Sequence, residues 1–119
     1  MAKTNIGKEK LRLNAWGDVE FTKVAAGADG ALCDMTGKDY ATLIIAHNTA
    51  ESAAATVTVK AGDGIQGVND LAAYQVAAGG FAAIRIDSGE FKRITGADKG
   101  AALITASSND VEIAVVELP

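Results

Sequence analysis

Apolar and polar positions alternate along this chain in short runs, and few stretches sustain the stripe of an amphipathic helix. Val57 and Val59 alternate with Thr56, Thr58 and Lys60, as expected of a half-buried strand. Ile84 and Ile86 flank Arg85, and Val111, Ile113 and Val115 share one face with Glu112 on the other. Such runs predict strands near Val19–Val24, Tyr40–His47, Ala55–Lys60, Leu71–Val76, Phe81–Ile86, Phe91–Thr95, Ala101–Ala106 and Val111–Leu118. Of these, the Ala-rich stretch over residues 69–78 carries the weakest strand signal, since Ala favours helix.

Punctuation between the runs fits strands. Ala77–Gly80, Asp87–Glu90 and Ser107–Asp110 are four-residue connections suited to hairpins built on type I turns. Pro119 is the only proline and interrupts nothing. The pattern predicts an all-β fold: one β-sandwich of about eight short strands, immunoglobulin-like or jelly-roll, over residues 19–119. Residues 1–18 show no strand pattern and read as an extended N-terminal arm.

Composition narrows the picture. Apolar residues make up 49% of 119, but 24 of them are Ala, so the larger apolar side chains suffice for one core only. Uncharged apolar runs such as Ala41–Ala46 are far short of the roughly 20 residues of a membrane span. The first ten residues contain no apolar core of a signal peptide. Cys33 and His47 are each the only one of their kind, so no internal disulfide, thiolate metal cluster or His-rich metal site can form within one chain. The absence of disulfides fits synthesis and assembly in a reducing cytoplasm.

Charge divides the chain. Residues 1–12 hold Lys3, Lys8, Lys10 and Arg12 against Glu9, a net of +3, while the remainder has a net of −7. An acidic body argues against nucleic acid as a partner, because that binding depends on neutralising phosphates. The leading segment reads either as a solvated terminus or as a docking arm. In the second reading the arm is mobile until it meets a partner. Ile6, Leu11, Leu13 and Trp16 then pack, and Lys3, Lys8, Lys10 and Arg12 meet acidic groups.

Catalytic signals are sparse. Gly62–Gly67 spells G-x-G-x-x-G after an apolar run, with Asp87 twenty residues beyond the third glycine, the spacing of a dinucleotide-binding fingerprint. Asp63 places a carboxylate where phosphates would sit, and too few residues follow for the remaining βα units. The motif therefore reads as a Gly-rich loop between strands. Asp63, Asn69 and Asp70 lack the ligand spacing of a calcium loop. His47 has no nucleophile elbow to serve, and no cation near Cys33 activates its thiol. No cofactor or metal is expected, and the chain reads as a non-enzyme.

The phrases T-L-I-I-A-H-N-T, V-T-V-K-A-G-D-G-I-Q-G-V-N-D-L, F-K-R-I-T-G and V-E-I-A-V-V-E-L-P, spread over Thr42–Leu118, resemble the small β-sandwich head decoration (capsid cement) proteins of tailed bacteriophages. The likeness spans about two thirds of the chain and leaves residues 1–18 outside it. It implies a structural protein of the virion surface that binds the major capsid protein, as a possible trimer, and stiffens the head, without a membrane or nucleic-acid partner. Two other readings compete: a nucleotide-binding or small enzymatic subunit using Gly62–Gly67, and a tail or baseplate adaptor of the same sandwich class.

Overall fold

The computed structural model describes residues 4–24, 27–36, 41–62, 70–86 and 100–119. Among these, ten strands form and no helix does: β1 (Thr4–Ile6), β2 (Lys8–Lys10), β3 (Thr22–Lys23), β4 (Gly27–Asp34), β5 (Thr42–Asn48), β6 (Ala55–Val59), β7 (Tyr74–Val76), β8 (Phe81–Ile84), β9 (Ala101–Ala106) and β10 (Val111–Glu117). One sheet has the order β1-β4-β9-β6-β7. The other has the order β2-β10-β5-β8, with β3 also pairing to β10. The fold is the all-β sandwich that the alternation predicts. The predicted strand Phe91–Thr95, the turn Asp87–Glu90 and most of the Gly62–Gly67 loop lie outside the described residues.

The core sits between the sheets. Ala31 and Cys33 of β4, Ala102 and Ile104 of β9, Ile44 of β5, and Val111, Ile113 and Val115 of β10 are all buried. Each large aliphatic side chain buried here contributes about 1.5–3 kcal/mol. The order of burial along β5 is strictly alternate, from Thr42 to Asn48. Along β10 it is nearly continuous, and Ala114 and Val116 are buried although they point away from the core. Continuous burial means that this strand is covered on both faces.

The N-terminal segment departs from the expected arm. Thr4–Ile6 pair in parallel with Ala31–Cys33 in the first sheet, and Lys8–Lys10 pair in parallel with Val115–Glu117 in the second. The chain thus steps from one sheet to the other across Gly7. Ile6 is 4% exposed and belongs to the core. A separate arm over residues 1–18 is therefore corrected: its residues 4–10 are part of the sandwich, held by backbone pairing at two open strand edges that need no hydrophobic alternation in the incoming strand.

β4 has no counterpart among the predicted strands. Its Gly- and Asp-rich start reads as a loop, yet it pairs antiparallel with β9 through an irregularity between Gly27 and Ala31. Gly30 makes this possible. Its φ is +58°, and a Cβ there would lie 2.3 Å from the Ile104 carbonyl oxygen. Only glycine tolerates both.

Two connections read as hairpins are corners between sheets. Ala77–Gly80 joins β7 of the first sheet to β8 of the second, and Ser107–Asp110 joins β9 to β10 in the same way. Asn48, fully buried, makes the first corner. Its side-chain amide donates to Ala53 O at 2.9 Å and Val76 O at 3.1 Å, and its backbone exchanges hydrogen bonds with Gly79 and Gly80. Gly79 adopts φ +71° within the turn closed by the Gly80 N–H to Ala77 O bond.

Candidate docking surface

The outer face of the second sheet is built in cross-strand rows. Strand register places Val116 beside Leu43, Ala114 beside Ile45 and Ala83, and Glu112 beside His47 and Phe81. The Ala114 row is wholly apolar, the Val116 row also takes in Glu9 of β2, and the row of Glu112 and His47 is polar. The polar row is tightly organised. His47 Nδ1 lies 3.0 Å from Glu112 Oε1, and the imidazole stacks on the Phe81 ring with centroids 3.9 Å apart and planes 3° from parallel.

The segment between β2 and β3 returns over this face. At its start, the Leu11 N–H donates to Glu117 O at 2.9 Å. At its end, the Phe21 ring meets both His47 and Phe81 edge-on, at 6.1 Å from each. Between these footings the chain turns at Asn14, whose φ is +58°, a conformation that asparagine tolerates better than most residues. The Leu11 side chain packs against the backbone of Gly17, where a Cβ would meet Leu11 Cδ2 at 2.6 Å. The loop thereby presents Leu13, 79% exposed, and Trp16, fully exposed. Val19, Tyr74 and Leu118 add further exposed apolar surface.

The residues that the sequence groups as a docking arm separate into three sets. Ile6 and Lys8 face inward, and Lys8 Nζ pairs with Glu117 Oε1 at 2.8 Å while also donating to Thr36 O. Their assignment to a partner is corrected, because their side chains are spent inside the sandwich. Leu11 is half-buried as a brace of the loop, and Lys10, Arg12, Leu13 and Trp16 are exposed. Lys3 lies outside the described residues. The exposed loop carries Arg12 against Asp18 and Glu20, so its charge is mixed and not basic.

The other motifs have local explanations where they are described. Asp70 accepts from Lys60 Nζ at 2.6 Å and from the Ala61 N–H at 2.8 Å. Those bonds hold its carboxyl below the usual carboxylate range. Both of its oxygens brace the turn after β6, which leaves it a poor cation ligand. Cys33 is 0% exposed, and burial pushes its thiol up to about 12. His47 bonds to Glu112 and stacks on Phe81, with no nucleophile described beside it.

An apolar cavity of about 320 Å³ opens between the sheets near β7 and β8, lined by Ile44, Val57, Tyr74, Ala82 and Ile84 among others. No family model, curated protein or solved structure matches the chain.

Proposed function

We propose that this chain is a structural protein of the virion that binds the outside of a phage capsid and stabilises the head shell. The observation that carries the reading is the braced loop presenting Leu13 and Trp16 to solvent at 79% and 103% exposure. A tryptophan held in water by a folded loop gains nothing from folding and buries its apolar surface only against a partner. Indole and isobutyl groups together gain about 25 cal/mol per Å² when a second surface covers them. Tryptophan is also the residue type most enriched among energetic anchors of protein interfaces. The resemblance of Thr42–Leu118 to head decoration proteins favours the major capsid protein as that partner.

The mixed charges of the loop set the character of the contact. With Lys8 engaged by Glu117, docking rests on apolar burial more than on charge. The test is to mix the protein with empty, expanded capsids of its phage and pellet them. Saturable co-sedimentation supports the reading, and protein left in the supernatant at every concentration contradicts it.

A further inference from the structure

We infer that Phe21 is a positioning residue for docking, holding the loop over residues 11–20 in its binding conformation before any partner arrives. The inference rests on the docking reading above and specifies how that surface works. The partner it fits is a protein surface with an apolar recess for an indole and an isobutyl group, rimmed by charges of both signs.

The loop has few ways to stay ordered. Nothing in its own sequence favours a fixed conformation: Asn14, Ala15 and Gly17 are small or turn-forming, and residues 12–16 are all exposed. Order comes from the two ends and one cross-brace. The Leu11 N–H bond to Glu117 O fixes the start. The Leu11 side chain against Gly17 draws the loop closed. Phe21 fixes the far end, and it does so on a rigid base, since His47 and Phe81 stack on each other and His47 is tied to Glu112. Three aromatic rings therefore join the loop to β5 and β8 across the face of the sheet. Beyond Phe21, the chain is held by the short pairing of Thr22 and Lys23 with β10, by Lys23 Nζ on Thr49 Oγ1, and by buried Val24, whose N–H donates to Val111 O.

Ordering a free segment on binding costs conformational entropy for each residue fixed, and a segment ordered beforehand avoids that cost. The structure puts the ordering into the folded protein. This replaces the picture of a mobile basic arm that orders on its partner.

The experiment measures affinity and association rate for empty, expanded capsids with wild type, Trp16→Ala, Phe21→Ala, the double variant and Phe21→Tyr. Trp16→Ala weakens binding about thirtyfold or more, as an interface anchor does. Phe21→Ala weakens it about tenfold. That loss appears mainly in slower association, because Trp16 itself is intact. The double variant is little worse than Trp16→Ala alone, since Phe21 acts through the loop that Trp16 occupies. Phe21→Tyr keeps the ring and binds like wild type.

Phe81→Ala removes the base under Phe21 without touching the loop and should reproduce Phe21→Ala, which separates positioning from misfolding of β3. Wild-type affinity in both Phe21→Ala and Phe81→Ala overturns the inference. So does a double variant whose losses multiply. If Trp16→Ala and Leu13→Ala each bind like wild type, the docking reading itself fails, which is a different result.

Discussion

Lys8 Nζ lies 2.8 Å from Glu117 Oε1, with the two side chains only 7% and 10% exposed, so β2 and β10 are tied by an ion pair inside the sandwich. Lys8 sits opposite Val115 on the inward face of β2, and Glu117 occupies the inward face of β10. Lys8 is satisfied further by the Thr36 carbonyl. The N-terminal residues are thus part of the stability of the fold.

Replacing Lys8 by Met removes the cation 2.8 Å from the buried Glu117 Oε1. The expected loss is about 3 kcal/mol in urea unfolding, the cost of breaking a buried pair from one side. The double variant Lys8→Met, Glu117→Leu should recover part of that loss, because it removes the carboxylate that had faced Lys8. Deleting residues 1–11 removes Ile6, the ion pair and two edge strands together. Its thermal midpoint should fall far below that of the full chain, where a solvated tail would leave it unchanged.

Asn48 holds the carbonyls of Ala53 and Val76 on one side-chain amide in a site without solvent. Asn48→Ala strands both acceptors, and an unsatisfied buried group costs about 1–3 kcal/mol. The expected destabilisation is about 3 kcal/mol by chemical denaturation. Asn48→Asp should be at least as damaging, since it places a carboxylate against those carbonyls.

Cys33 is buried with its thiol pushed up to about 12. In the native protein it should resist Ellman's reagent at pH 8, and its labelling should follow global unfolding in denaturant. The sign of the linkage follows from the proton count. Between the ordinary thiol value near 8.5 and about 12, the folded state holds a proton that the unfolded state has lost. Stability from this group is therefore complete below about pH 8.5 and declines as pH rises toward 12. A Cys33→Ala variant should show a shallower alkaline decline.

Much of the sandwich is legible in the sequence, and the parts that are not have physical causes. β5 and β10 announce themselves by alternation and by a dense apolar run. β1 and β2 do not, since Thr4–Ile6 and Lys8–Lys10 carry a single large apolar residue between them. Their pairing comes from the edges of β4 and β10. β4 was readable in part: Ala31, Cys33 and Met35 alternate and are all 0% exposed. The Gly- and Asp-rich residues before them mask the signal. Turns at Ala77–Gly80 and Ser107–Asp110 are visible, but four turn residues do not say which sheet the next strand joins. Among the candidate site residues, the exposure of Leu13 and Trp16 depends on the brace from Leu11 to Gly17 and on the rings of Phe21, His47 and Phe81. The ring contacts join residues far apart in the chain.

The most direct test of the proposed role is the rupture temperature of empty, expanded capsids, followed by calorimetry with and without saturating protein. Wild type should shift rupture upward by several degrees, and Trp16→Ala at the same concentration should give a much smaller shift. A rupture temperature that stays where it was under saturating wild-type protein would contradict a role in stabilising the head.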